Sequence, residues 1–253
     1  MQLSVHLLPK LVAPETLAGS TAVVIDVLRA TTTITQALHA GASTVVACLE
    51  VDDARRIRQD DPQVLLGGER GGERIEGFDC GNSPLEYTPE KVANRVVAFT
   101  TTNGTRAMQH CRQADAILLA AFVNLSAVCD VLANQPVVHV LCAGTDGEVT
   151  REDLLLAGAI VAKMEMRHAE LQLNDQARIA ADAWNAVRGD GSGECLQQAV
   201  ANSQGGRNLL RLGLSDDIAY AAQMDRLPVV TCVHPETWQI RVFTGACQAD
   251  ATR

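Results

Sequence analysis

A chain of 253 residues, 47% hydrophobic and 20% charged, can bury a full-sized core without disulfide or metal staples. Its 30 acidic groups outweigh 21 basic ones, leaving a net charge of −9, which argues against a nucleic-acid partner but permits a local pocket for a small anion. No apolar stretch reaches transmembrane length, and the opening MQLSVHLLPKLVAPE is broken by Lys10, Pro14 and Glu15, so a cytoplasmic protein without a membrane partner is expected.

In chain order, short apolar runs alternate with longer amphipathic ones. TAVVIDV reads as a strand, Thr31 to Ala40 as a helix, STVVACL as a strand and VDDARRIRQ as a helix. QVLLGG is a further strand, followed by a long Gly-rich loop from Gly67 to Pro84. RVVAFTT and DAILLAAF are strands, with helices over Gly104 to Cys111 and Leu125 to Leu132. PVVHVLCAG is a strand, and helices cover Arg151 to His168 and much of 174 to 202. The final VVTCVHPETWQIRVFTG has the pattern of an antiparallel pair.

Near-continuous Val/Ile/Leu strands interleaved with helices predict one α/β domain over 1–253. Its form is a three-layer αβα sandwich around a mostly parallel mixed sheet, with a short antiparallel element at the C-terminus. Aromatics are only 3% of the chain, so aliphatic side chains build the core. Eight cysteines form no C-x-x-C pair, and those inside apolar runs, such as Cys48 and Cys142, read as buried free thiols.

In such sheets ligands bind beyond the carboxyl ends of the strands. Four of those ends carry chemistry. DVLRATTT offers Asp26, the forked guanidinium of Arg29, and Thr31, Thr32 and Thr33 at a helix start. An Asp and Thr cap beside a surface Arg is the plainer alternative.

GGERGGERIEGFDCGNSP holds six glycines in eighteen residues, with Glu69 and Arg70 among them. A long loop of that kind inside a compact domain is usually functional. TTTNGTR places Asn103, Gly104 and Thr105 where a strand turns into a helix, without the lysine of a P-loop. A simple turn with a Thr cap fits equally. CAGTDGEVTRED puts Asp146 and Glu148 in a glycine-flanked turn. There Thr150 and Asp153 have capping-box spacing.

Together the loops supply carboxylates (Asp26, Glu69, Asp146, Glu148) and oxyanion binders (Arg29, Arg70, the threonines). That combination suits Mg²⁺ held partly by substrate phosphate. Metal-assisted phosphoryl chemistry on a small anionic substrate is the expectation. Common phosphatase signatures are missing. The positions six after Cys48, Cys80 and Cys111 are Ala54, Glu86 and Ile117, not Arg, and Leu28 stands two after Asp26 where a second Asp would be needed. Ser83 and Cys80 have no identifiable base beside them.

The segments VVIDVLRATTTI, GGERGGERIEGFDCGNSP, TTTNGTRA, CAGTDGEVTREDLLLAGAIV and GRNLLRLGLSDDIAYAAQMDRLPVV resemble, in order, the 2-phosphosulfolactate phosphatase family. The resemblance spans Val23 to Val230. It implies an α/β sandwich and a Mg²⁺-dependent hydrolase that converts 2-phospho-3-sulfolactate to 3-sulfolactate and phosphate, known from coenzyme M biosynthesis. It implies catalytic Asp26, Arg29 and Arg70, and substrate contacts from Thr31, Thr32, Asn103, Gly104 and Thr105. Asp26, Glu69, Asp146 and Glu148 would be the metal ligands.

Asp217 and Asp225 also match, and on one helix they would share a face, either a wall of the site or, the reading favoured here, a solvated face. Two rival readings are a Mg²⁺-dependent lyase or isomerase on another phosphorylated hydroxy acid, and a non-catalytic anion-binding protein. A homodimer is the general expectation for a soluble enzyme.

Overall fold

The computed structural model describes residues 1–188 and 194–245. The strands are β1 (Gln2–His6), β2 (Thr21–Ile25), β3 (Thr44–Cys48), β4 (Leu65–Arg70), β5 (Glu73–Arg74), β6 (Val96–Thr100), β7 (Ala116–Ala120), β8 (Val137–Cys142), β9 (Gln172–Leu173), β10 (Thr231–Val233) and β11 (Gln239–Val242). The helices are α1 (Ala30–His39), α2 (Val51–Asp60), α3 (Pro89–Val92), α4 (Gly104–His110), α5 (Leu125–Leu132), α6 (Arg151–Glu165), α7 (Asp175–Val187), α8 (Glu194–Ala201), α9 (Gln204–Arg211) and α10 (Ser215–Ala221). No helix among the described residues is long and apolar enough to cross a membrane.

The strands form one sheet in the order β5-β4-β6-β3-β11-β10-β7-β2-β8-β1-β9. Two parallel blocks, β4-β6-β3 and β7-β2-β8-β1-β9, flank an antiparallel hairpin. The expected C-terminal antiparallel pair is therefore present, but at the centre of the sheet: β10 pairs with β7 and β11 with β3. The last part of the chain joins the two halves laid down before it.

The central strands are buried on both faces, which is why β2 reads as an unbroken apolar run. Val23 and Ile25 face a core built with α5, α6, α7 and α10, while Ala22 and Val24 face α1 and α4. On the outer half of the sheet, Ala98 and Cys48 pack under α2 through Ala54. Helices thus cover both faces. Cys48, Cys80, Cys111, Cys129 and Cys142 are buried free thiols.

Several expectations need correction. The Gly-rich segment is not one long loop, because β4 runs on through Gly67 and Gly68 to Arg70 and turns at Gly71–Gly72 into β5. Glycine normally weakens a strand, but here it is required. A Cβ on Gly68 would stand 2.0 Å from the carbonyl oxygen of Thr100, and one on Gly67 2.2 Å from the Tyr87 hydroxyl. Strands β1 and β9 carried no sequence expectation. The helical stretch expected over much of 174–202 is present as α7 and α8, with 189–193 outside the described residues.

Asp217 and Asp225 do not share a helix face. Helix α10 ends at Ala221, and Asp225, at φ 56°, accepts hydrogen bonds from the backbone and hydroxyl of Ser126.

Candidate active site

Each candidate loop stands at the carboxyl end of a parallel strand. Asp26 follows β2, Glu69 lies near the end of β4, Thr101 to Asn103 follow β6, and Thr145–Asp146 follow β8. In the sheet β6 and β2 are separated by β3, β11, β10 and β7. Their loops nevertheless meet, because α1 and α4 pack side by side. A Cβ on Gly104 would lie 2.5 Å from the Ala30 Cβ and 2.7 Å from Asp26 Oδ2. Glycine is what lets α4 start against the Asp26 carboxylate.

The result is a cavity of about 660 Å³ lined by Asp26, Arg29, Glu69, Asn103 and Asp146 among others. Asp26 is buried, and its Oδ1 accepts from the Ala30 N–H at 3.2 Å. Among the described residues, no hydrogen bond reaches its Oδ2. Burial, reinforced by the nearby Glu69 and Glu152, pushes the Asp26 carboxyl up to about 7, against the opposing pull of the Ala30 N–H and Arg29.

Arg29 is buried as well. Its Nη1 donates to Asp217 Oδ2 at 2.6 Å and its Nη2 to the Gly72 carbonyl at 2.7 Å, so its position is set before any ligand arrives. Glu69 ties two loops together. Its Oε1 accepts from the Thr102 N–H and hydroxyl, and its Oε2 from the Gly72 N–H. Asp146 sits exposed at the rim at φ 53°, in a turn that Lys10 holds through the Gly147 carbonyl.

Thr101 and Thr102 line the cavity, whereas Thr31, Thr32 and Thr105 do not. Thr31 exchanges hydrogen bonds with the Asp26 backbone, Thr32 donates to the Val27 carbonyl, and Thr105 donates to the Thr101 carbonyl. Each hydroxyl is spent on shaping the loop that carries a cavity residue. Arg70 does not line the cavity: its guanidinium donates to the Leu49 and Glu69 carbonyls and to the Thr100 hydroxyl. Glu148 is exposed and also outside the lining, joined through its backbone to Thr145.

Other residues contribute. Asp217, for which the sequence favours a solvated face over a wall of the site, is 2% exposed and holds Arg29 from one oxygen and the Ser83 hydroxyl, at 2.5 Å, from the other. That bond also commits Ser83 as a donor to a carboxylate. Asp153 is no capping-box partner of Thr150, whose side chain caps nothing. Its two oxygens accept from the Val27 and Gly144 N–H groups at 2.9 and 3.0 Å, pinning the loops after β2 and β8.

Glu152 is almost wholly buried, with Oε2 unpaired, and burial raises its pKa. Asn82 lines the cavity with a buried, unpaired Oδ1. Helix α9 forms the remaining wall through Gln204, Asn208 and Arg211. Its one local sequence signal is Ser203, whose hydroxyl caps the helix by accepting from the Gly206 N–H.

A family model described as 2-phosphosulpholactate phosphatase matches residues 6–236. A probable 2-phosphosulfolactate phosphatase of Symbiobacterium thermophilum is 44% identical over 219 residues, 85% of this chain and 92% of its own. One of Deinococcus radiodurans is 41% identical over 240 residues, covering 93% and 94%. One of Thermotoga maritima is 38% identical over 210 residues, covering 83% and 87%.

Proposed function

The chain belongs to the 2-phosphosulfolactate phosphatase family, and on that premise we propose that it is a Mg²⁺-dependent phosphatase. Its substrate is 2-phospho-3-sulfolactate, and its products are 3-sulfolactate and phosphate. The observation that carries this reading is the convergence of strand-end loops on one cavity where unshared carboxylate oxygen stands beside a fixed guanidinium.

Among the described residues, no group of three or more His, Cys, Asp and Glu side chains is arranged to hold a metal ion. Mg²⁺ asks for less, being bound through one or two carboxylates plus waters and substrate phosphate. The donors fit. Asp26 has a free oxygen, Asp146 lies on the same cavity, and Asn82 Oδ1 is a buried oxygen without a partner. The buried negative charge that raises the Asp26 pKa is the strain a cation would relieve. Asp26 and Asp146, with Asn82, are the residues we assign to it. When bound, it would polarise the phosphoryl group and offset its charge.

The chain's own groups do the rest. Arg29, fixed by Asp217 and Gly72, keeps N–H donors for the phosphoryl oxygens and needs no reorganisation when charge develops on them. Glu69 locks the β4–β5 turn to the loop after β6, so the Arg29 and Asp26 walls hold their spacing. Hydrolysis forms a bond from water oxygen to phosphorus and breaks the ester bond. The electron pair goes to the substrate oxygen, which leaves as a hydroxyl after taking a proton.

A phosphate-release assay on 2-phospho-3-sulfolactate tests the proposal. Steady release that EDTA stops and Mg²⁺ restores is expected. Substrate loss without free phosphate would instead indicate a lyase or isomerase, and metal-independent binding without turnover a binding protein.

A further inference from the structure

The proposed substrate carries three anionic groups, and the carboxylate-rich floor of the cavity accounts for one of them. Phosphate and carboxylate share a carbon, while the sulfonate sits on the next one and reaches further from the reacting phosphorus. It needs donors on a wall away from Asp26, Glu69 and Asp146, whose charge would repel it.

Helix α9 is such a wall. Gln204, Asn208 and Arg211 follow at intervals of four and three, which sets them along one face, and all three line the cavity. The helix runs along the opening between fixed points. At its start a Cβ on Gly205 would stand 2.1 Å from Glu152 Oε1, and just beyond its end Leu212 Cδ1 lies 2.7 Å from where a Cβ on Gly72 would be. Leu28, Leu209 and Leu212 supply apolar lining that suits the methylene between the two charged ends.

The two cavity arginines differ in their commitments. Arg29 is neutralised by Asp217. Arg211 pairs with no carboxylate among the described residues, and its Nη2 donates to the side-chain Oδ1 of Asn208. That bond orients the Asn208 amide, whose NH₂ group has no partner among the described residues. A guanidinium with no carboxylate partner among the described residues, beside two side-chain amides, matches a weakly basic oxyanion with three equivalent acceptor oxygens. Such a set recognises a sulfonate without needing a cation.

We propose that α9 is the sulfonate-binding wall and that Arg211 determines specificity for the sulfonated substrate. The inference rests on the substrate proposed above. Its test compares wild type, Arg211→Gln and Arg211→Lys on 2-phospho-3-sulfolactate and on 2-phospholactate, which has a methyl group in place of the sulfonatomethyl. Calorimetric binding of 3-sulfolactate provides a second readout that needs no turnover.

Arg211→Gln is expected to raise KM for the sulfonated substrate about 10- to 100-fold with kcat changed less than about 3-fold. KM for 2-phospholactate should move by less than about 3-fold, and Arg211→Lys should recover part of the loss. The product should bind Arg211→Gln more weakly by a similar factor. Equal losses on both substrates, an unchanged KM on the sulfonated one, or undiminished product binding would each overturn the assignment. So would wild type that fails to bind 3-sulfolactate. If wild type binds it through Arg211 yet hydrolyses neither ester, the phosphatase reading falls and the sulfonate wall stands.

Discussion

Arg29 and Asp217, 188 positions apart in the chain, form a 2.6 Å ion pair in which the side chains are 4% and 2% exposed. The pair joins the loop after β2 to α10 and sets the guanidinium that faces the cavity. A buried pair of this kind matters less for its net strength than for the cost of breaking it.

Asp217→Ala should therefore destabilise the protein by about 3–5 kcal/mol, because it strands a buried guanidinium. Ser83→Ala, which removes a hydrogen bond to the same carboxylate, should cost about 1–2 kcal/mol. Urea denaturation of both variants checks the order. An Asp217→Ala variant as stable as wild type would mean that the pair does not organise Arg29.

The buried Asp26 carboxyl costs the fold stability when it is charged. Its folded pKa is raised from 3.8 to about 7, so the stability it contributes is complete below 3.8 and is lost as pH rises through 7. Asp26→Asn should abolish phosphate release while raising the unfolding free energy at pH 8 above that of wild type. Added Mg²⁺ should raise the melting temperature of wild type and leave that of Asp26→Asn unchanged. Differential scanning fluorimetry with and without the ion reads both effects.

Gly104→Ala places a methyl group 2.7 Å from Asp26 Oδ2 and 2.5 Å from the Ala30 Cβ. Something has to shift, and α1 carries the Asp26 loop. A displacement near 1 Å should lower kcat by about 100-fold, with circular dichroism showing the helices intact. Wild-type kcat in this variant would show that α4 does not set the Asp26 position.

His6 and His139 form a buried pair, Nε2 to Nδ1 at 2.9 Å, with nearly parallel rings. Burial, and then the neighbouring His139 and His110, lower the His6 pKa from 6.5 to about 4. The unfolded chain takes up a proton that the folded one refuses, so this stability is present above 6.5 and is lost as pH falls toward 4. His6→Phe should flatten the fall in unfolding free energy between pH 7 and 4.5. An unaltered slope would place the acid sensitivity elsewhere.

The residue order alone makes the alternation of strands and helices legible, because a strand buried on both faces must be largely apolar, as β2 is from Ala22 to Ile25 and β8 is apart from His139. It also pointed to loops worth examining, since Asp26, Glu69, Asn103 and Asp146 break apolar runs at strand ends, and the structure places all four on one cavity. Local pattern could not separate Arg29 from Arg70, two arginines in similar loops. Only packing turns one toward Asp217 and the cavity and the other toward Leu49 and Thr100. Nor could it show that Gly67 and Gly68 continue a strand, because their need for space comes from Tyr87 and Thr100. The roles of Asp153, Asp217 and α9 follow from contacts between segments far apart in the chain, and such contacts leave no periodicity to read.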